Sequence, residues 1–387
     1  MQKVVLRLAF FAVPLIAAVW AGCSSDGTPG ATASDAAPEA TAELDAFVPP
    51  VDASDAAPAK RDCAADLQAD GLQMHLDCTG LYADFAAKTI APENKPYTPG
   101  VQFWSDGAVK SRFLYLPPGA TIDISNFDEW KFPVGTKVWK EFKIGGKRIE
   151  TRLYSKAMTA WRYTTYRWND AETDAIRNDT GEKVTIPGQT AVYEIPGTAQ
   201  CDYCHMGRTD NLLGVEAVSL GIASAQGITL ASLASDGRLS ATPPATTLTI
   251  PEDGTAKAVA ALGWLHANCG GCHNPNGAAN VLDPPLYFLI KPSQLLPEAG
   301  TAAVTDLDAW KTAVNVMAVR IDDDAGAPYL RIKPNDAVHS LASILSGRRV
   351  TGAAEPTADV QMPPLVTRQV DTTGHALLDA WIGALPP

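Results

Sequence analysis

Positive charge is scarce in this 387-residue sequence. It has 31 Lys and Arg residues against 43 Asp and Glu residues, for a formal net charge of −12 at pH 7. Nucleic acid and anionic lipid surfaces repel a protein with this balance, so neither is expected as a partner. A basic protein partner would suit it.

The sequence also lacks an N-terminal apolar run long enough to cross a bilayer. The stretch Leu8–Val19 is too short for a spanning helix, and it follows Lys3 and Arg7. Small residues then precede Cys23. This pattern predicts an export signal over residues 1–22, whose removal leaves a net charge of −14 because it contains two bases and no acid.

Ala21, Gly22 and Cys23 resemble the lipobox of bacterial lipoproteins, in which the cysteine becomes the lipidated first residue of the mature chain. The resemblance implies lipidation at Cys23 and an exported protein anchored to a bacterial membrane, on the periplasmic face of the outer membrane or at the cell surface. Ordinary cleavage nearby, with release of a soluble protein, is the alternative.

Basic residues are absent from Ser24 to Ala59, a segment rich in Ala, Pro, Ser and Thr with seven carboxylates. It has too few apolar residues to form a core. We therefore predict a disordered tether over residues 23–62, which lets a folded body reach away from its anchor.

Cysteine is infrequent, and its seven copies are an odd number for an exported chain. If Cys23 carries lipid and four others carry cofactor, as argued next, only Cys63 and Cys78 are left. An oxidising compartment favours pairing them, so we predict a Cys63–Cys78 disulfide.

Two short motifs contain the other four cysteines. Each is a Cys-x-x-Cys-His, the pattern by which haem is covalently attached: Cys201, Cys204 and His205, then Cys269, Cys272 and His273. Two thiols three positions apart can reach the two vinyl groups of one haem, and the adjacent imidazole can take an axial position on the iron. The motifs predict two haem c groups. The alternative, one zinc site built from all four thiolates, leaves both histidines unexplained.

Residues 63–200 are predicted to form a β-rich domain. Lys137–Ile144 and Lys147–Tyr154 flank Gly145-Gly146, which is typical of a hairpin. Trp161–Trp168 alternates aromatic and polar residues, and Ala191–Ile195 leads into the first motif. We expect an antiparallel sandwich or barrel whose aromatic residues are mostly core, with a sugar- or polymer-binding groove as the alternative.

The pattern becomes helical after residue 255. Apolar spacing predicts a helix leading into Cys269, a second through Leu307, Trp310, Val314 and Met317, and a third ended by Gly347. A closing helix would begin near Asp371 and end at Gly383. The fold class is therefore α+β, with a first haem-binding segment at 201–255 and a mostly helical domain at 256–387.

This C-terminal part resembles class I cytochrome c from about Lys257 to Pro387. The resemblance rests on the helix before Cys269, the segment Gln361-Met362-Pro363-Pro364 and the closing helix. It implies that Ala261 and Leu265 cross Leu378 and Trp381, that His273 and Met362 hold the second iron, and that the Pro275 carbonyl orients His273. A thioether ligand favours reduced iron. Met362 as a filler of a core gap is the alternative.

Residues 63–387 also resemble a family of bacterial two-haem cytochrome c lipoproteins of largely unassigned role. The segments that carry this are Phe103–Gly107, Phe132–Thr136, Glu150–Leu153, Tyr193–Pro196 and Gln200–His205.

A second axial ligand for the first haem is less evident. Met206 adjoins His205 and cannot cross the ring, so His266 is the first candidate, with Met158, Met317 and His339 behind it. An open iron is the alternative. We expect electron transfer with redox partner proteins. A haem enzyme or sensor follows if the first iron is open, and a binding role for the β domain is a third possibility.

Overall fold

A computed structural model describes residues 60–189, 191–322, 325–350 and 355–387. The predicted export signal, Cys23 and nearly all of the predicted tether lie outside the described residues. Within the described part, no helix combines the length and apolarity needed to cross a membrane.

The predicted α+β fold class is confirmed: a large antiparallel sheet is followed by a more helical C-terminal region. The strands are β1 (Tyr82–Asp84), β2 (Thr89–Ile90), β3 (Lys95–Thr98), β4 (Val109–Tyr115), β5 (Lys137–Ile144), β6 (Lys147–Lys156), β7 (Trp161–Trp168), β8 (Ala175–Asn178), β9 (Glu182–Val184), β10 (Tyr193–Ile195), β11 (Gln226–Gly227), β12 (Met317–Asp322) and β13 (Pro328–Leu330). The α-helices are α1 (Thr198–His205), α2 (Ala217–Gly221), α3 (Leu230–Ser235), α4 (Ala258–Asn268), α5 (Pro292–Leu295), α6 (Asp308–Ala313), α7 (Leu341–Ser346) and α8 (Thr372–Ile382).

Seven strands form one open sheet in the order β11-β3-β4-β5-β6-β7-β8, with every neighbouring pair antiparallel. The predicted hairpin is confirmed as β5 and β6, joined by Gly145 and Gly146 at positive φ. Glycine suits such a turn because it enters the left-handed region without steric cost.

The expected sandwich or barrel is wrong, because no second large sheet covers this one within the described residues. One face packs Trp139, Tyr166 and Trp168 against Leu72 and Leu76 of the preceding segment. The interpretation of strand aromatics as core is confirmed here, since Tyr166 and Trp168 have no exposed surface.

The opposite face of the sheet joins the largest core cluster, which also contains the C-terminal helices. Leu114 and Val138 share this cluster with Leu262 and Trp381. The β-rich and helical regions are therefore built on one continuous core.

The N-terminal end of the body is held by separate contacts. Cys63 and Cys78 form the predicted disulfide, and the Arg177 amide of edge strand β8 donates to the Met74 carbonyl at 2.9 Å.

Helix α4 runs directly into the second motif, as predicted. Ala261 and Leu265 of α4 and Leu378 and Trp381 of α8 are all fully or almost fully buried in the same cluster. Asp371 caps α8 by accepting a hydrogen bond from the Gly374 amide at 2.9 Å.

The helix predicted through Met317 is wrong in its second half. Helix α6 ends at Ala313, and Asn315 has φ 57°. A left-handed residue cannot continue a right-handed helix, so the chain turns there. Met317 instead begins β12, where it pairs with Leu330.

Candidate cofactor sites

The first motif lies on α1, directly after the short strand β10. The Gln200 side chain caps this helix by accepting a hydrogen bond from the Gly197 amide at 2.9 Å. Cys201 and Cys204 are three positions apart on the helix, so their side chains share one face. Both thiols are partly buried and neither forms a disulfide.

His205 ends this helix and is oriented from two sides. Its Nδ1 lies 2.7 Å from the Asn211 carbonyl oxygen, and its ring stacks on Tyr154 with centroids 4.4 Å apart. Burial, together with the nearby charge of Lys140, lowers the pKa of His205 to about 3. A neutral imidazole whose Nδ1–H donates to a carbonyl has its Nε2 lone pair available, which is the arrangement that metal-ligating histidines use.

A cavity of about 1110 Å³, including its open mouth, lies beside Cys204 and His205. Its wall includes five basic side chains: Lys110, Arg112, Lys140, Arg152 and Arg349. Apart from His205, no histidine or methionine lines it among the described residues.

The second motif follows the end of α4. The Cys269 and His273 amides donate to the Leu265 and Cys269 carbonyls at 2.9 and 2.8 Å, which continues the turn through the motif. His273 is 8% exposed, and burial lowers its pKa to about 4. Its Nδ1 has no hydrogen-bond partner among the described residues.

The expected role of the Pro275 carbonyl is wrong. This oxygen accepts from the Asn280 side chain at 2.9 Å. Asn274 holds the motif's own backbone, donating from Nδ2 to the Gly270 and Gly271 carbonyls at 2.8 and 2.9 Å.

A second cavity, of about 880 Å³ with its mouth, lies beside Cys269 and His273 and has a mainly apolar wall. Met362 is part of this wall. Gln361 is fully buried and fixes the Met362 loop: it accepts from the Val350 amide at 2.7 Å and donates to the Pro363 and Thr367 carbonyls at 2.8 and 3.1 Å. The structure therefore brings His273 and Met362, 89 residues apart in sequence, to one cavity.

The two motifs touch each other. A Cβ atom on Gly207 would lie 2.3 Å from the Gly271 carbonyl oxygen, so only glycine allows this approach. The Cys272 thiol donates to the Tyr203 carbonyl at 3.2 Å, and its proximity to Cys204 lowers the pKa of the Cys204 thiol. The two cavities also share wall residues: Trp264, Asn268 and Pro363.

The donor atoms fit two separate haem groups. Each cavity has its own neutral histidine, His205 in the first and His273 in the second, and all four motif cysteines are unbridged. Cys269 lines the second cavity, whereas Cys204 and Cys272 both line the first, where the two motifs meet. The alternative zinc site requires the four thiols to converge, but no group of three or more His, Cys, Asp or Glu side chains among the described residues is arranged to hold a metal ion.

The structure does not place His266, the first candidate for the second axial ligand, in the wall of either cavity. His266 is 4% exposed, its Nδ1 accepts from the Ile290 amide at 3.0 Å, and its Nε2 lies 3.4 Å from Glu216 Oε1. Both ring nitrogens are therefore engaged away from the cavities. The buried Glu216, 50 positions earlier, could not be anticipated from helical spacing alone.

The other ligand candidates also lie outside the first cavity. Met158 and Met317 are 86% and 64% exposed, and His339 Nδ1 lies 2.8 Å from Asp336. The sequence did not reveal the basic wall of the first cavity. Four of its members, Lys110, Arg112, Lys140 and Arg152, are only the polar positions of alternating strands, and Arg349 lies in the loop after α7.

Comparison with protein-family models, with curated proteins and with solved structures finds no match to this chain.

Proposed function

We propose that this protein is an exported, lipid-anchored di-haem c-type cytochrome that carries electrons between redox partner proteins. The observation that carries the proposal is that two Cys-x-x-Cys-His motifs, each with its own cavity, meet in direct contact. Two haems held in these cavities would be close neighbours, which suits a relay.

Haem, when bound, supplies one-electron redox chemistry, and the protein supplies attachment, axial ligands and surroundings. Cys201 and Cys204 would hold the first haem, and Cys269 and Cys272 the second. His205 and His273 would each provide one axial nitrogen. Met362 would complete the second site, where its thioether and the apolar wall both favour the less charged, reduced iron.

A second candidate function is a haem enzyme or sensor that binds peroxide or a gas at the first haem. The observation that favours it is the wall of the first cavity, which offers no histidine or methionine opposite His205 among the described residues. An iron with one protein ligand there would be open to small molecules.

The test is to express the chain with its export signal in a bacterium that matures c-type cytochromes and to weigh the product. We expect a mass increase of two haems. Replacing Cys201 and Cys204 by Ala, or Cys269 and Cys272 by Ala, should each remove one haem. The matched control replaces Cys63 and Cys78 by Ala, which removes two cysteines and should leave both haems attached. A product with no covalent haem, or equal loss in the control, would refute the proposal.

Carbon monoxide separates the two functions. An unchanged spectrum of the reduced protein would support a carrier with both irons closed by protein ligands. A shift in about half of the haem absorbance would support an open first iron, and the Cys201 and Cys204 double variant should then show none.

A further inference from the structure

Three basic side chains stand side by side on neighbouring strands of the large sheet. Arg112 of β4 is directly opposite Lys140 of β5, and Lys140 is directly opposite Arg152 of β6. We call these three residues the cation row. Tyr154, two residues after Arg152, lies on the same sheet face because side chains alternate along a strand. Tyr154 stacks on His205, so the row faces the first cavity, which all three residues line.

Such a row is unfavourable by itself. Like charges directly opposite on adjacent strands destabilise a sheet, and burial away from water increases the cost of each unpaired charge. Arg112 is only 4% exposed, yet its Nη2 has no hydrogen-bond partner among the described residues. Within the described ranges, Lys140 donates only to the Leu213 carbonyl, at 3.3 Å.

One residue of the cation row, Arg152, has a carboxylate partner. Arg152 makes a two-point ion pair with Glu150, at 2.9 Å from Nε and 2.6 Å from Nη2. Neither Arg112 nor Lys140 has a carboxylate within ion-pair distance in the part of the chain that the structure describes. Arg112 and Lys140 are therefore left without a carboxylate partner in the described part of the chain, and burial lowers the pKa of both, that of Lys140 to about 7.

The rest of the cavity does not supply that partner. Its two carboxylates are engaged elsewhere: Glu194 pairs with Arg368 at 2.8 Å, and Asp371 accepts from the Trp264 indole at 2.8 Å. Lys110 and Arg349 also line this wall, and burial lowers the pKa of Lys110 well below its ordinary value. A buried arginine nitrogen without a partner, in a wall with several basic side chains, is suited to bind an anion.

We propose that the cation row binds a carboxylate or a similarly small oxyanion in the first cavity. The inference rests on the proposed function, because that cavity adjoins His205. Two sources have this chemistry: a propionate of the first haem itself, or a small anion from solution that enters beside the iron.

The experiment uses the haem-loaded full chain after its two haems have been verified by mass. The variants are Lys140→Met and Arg112→Gln, which remove the uncompensated charges. Lys140→Arg keeps the charge, and Lys147→Met makes the same charge change at an exposed position of the same sheet. A product with fewer than two haems contradicts the proposed function, whereas normal loading with no variant effect contradicts only the present inference.

Two measurements distinguish the sources. The first titrates the oxidised protein with azide and with nitrite and follows the haem spectrum. The second measurement follows how the reduction potential of the first haem depends on pH. It also records the carboxylate bands of that haem in redox-difference infrared spectra. For a solution anion, Lys140→Met should weaken azide or nitrite binding at least tenfold. For a propionate, the anion titration should be unchanged or absent, while the carboxylate bands shift and the pH dependence moves to higher pH.

For either source of the anion, Lys140→Arg and Lys147→Met should both show anion binding, carboxylate bands and pH dependence close to those of the wild type. The proposal fails if Lys140→Met and Arg112→Gln both load two haems and leave anion binding, carboxylate bands and pH dependence as in the Lys147→Met control. If one variant does not fold, the other decides, since each removes a charge that lacks an anionic partner.

Discussion

The two Cys-x-x-Cys-His motifs have the same cysteine and histidine spacing but contrasting surroundings. The second adjoins a mainly apolar cavity that includes Met362, whereas the first adjoins a cavity with five basic side chains and no methionine among the described residues. The motif itself provides two thiols and one imidazole. The remaining properties of each site come from distant parts of the chain, so equal motifs need not give equal chemistry.

Replacing Met362 by Leu is the strongest test of this contrast. It keeps the apolar wall but removes the thioether, so the second iron should become accessible to carbon monoxide. Its reduction potential should fall by on the order of 0.1 V, within the range of about 0.8 V that axial ligation spans. Potentiometry with optical detection measures both. Met158→Leu is the matched control, since Met158 is 86% exposed; equal behaviour of the two variants would remove Met362 as a ligand.

Acid should break the connection between the segment after the first motif and the helix before the second. Burial would raise the pKa of Glu216, but hydrogen bonds from the His266 ring and the Ser219 amide oppose it and lower the pKa to about 2. A depressed carboxyl pKa adds stability above its unfolded value of about 4.5, and this is lost as the pH falls towards 2. The loss should be on the order of 3 kcal/mol, at about 1.4 kcal/mol per pKa unit.

Unfolding by denaturant at several pH values between 2 and 6 measures that loss. Glu216→Gln should flatten the stability profile between pH 4.5 and 2. Asp359→Asn, at an exposed position, is the control and should keep the profile of the wild type. A Glu216→Gln profile as steep as the control's would contradict the assignment.

Separating the two motifs should have a smaller effect. In Gly207→Ala the new methyl group would lie 2.3 Å from the Gly271 carbonyl oxygen, so the motifs must move apart. We expect a loss of about 1–3 kcal/mol, typical of overpacking, and slower electron exchange between the haems. Denaturant unfolding and flash photolysis measure these. Gly383→Ala, whose nearest contact would be 3.3 Å, should change neither.

The smallest expected effects come from removing the hydrogen bonds that support each site. Gln361→Ala removes three hydrogen bonds at the Met362 loop, whereas Gln200→Ala removes the cap of α1 at the first motif. Each should cost about 1 kcal/mol, with spectral changes confined to its own haem. Thermal melts followed in haem bands that respond to one site only would reveal this. Changes at both haems in either variant would show that the sites are not supported independently.

Local sequence patterns predicted much of the fold. The β5–β6 hairpin, α4 before Cys269 and the Asp371 cap of α8 all depend on spacing within a few residues, and the structure has them. Long-range pairing was not predictable in this way. No local pattern near Met317 indicated that it would pair with Leu330, and no spacing rule linked His266 to Glu216.

The cation row illustrates the same limit at the site. Arg112, Lys140 and Arg152 are each an ordinary polar position in an alternating strand. Only the register of three strands makes them neighbours, and only the position of α1 turns that face towards a cavity. The concentration of basic side chains in one place is thus a property of the folded sheet and not of any single strand.

The Cys63–Cys78 disulfide also has a mechanical consequence. It closes a covalent loop at the beginning of the described body, and the same segment is joined to the sheet by Arg61, whose Nη2 lies 3.3 Å from Asp174. Leu72 and Leu76 in that loop pack under the sheet. If the chain is anchored through its N-terminus, a pulling force at Lys60 would act on the covalent disulfide. Such a bond does not separate one strand at a time, as the hydrogen bonds of a sheet do. The load would pass to the β8 edge of the sheet, where the Arg177 amide donates to the Met74 carbonyl and Arg61 contacts Asp174.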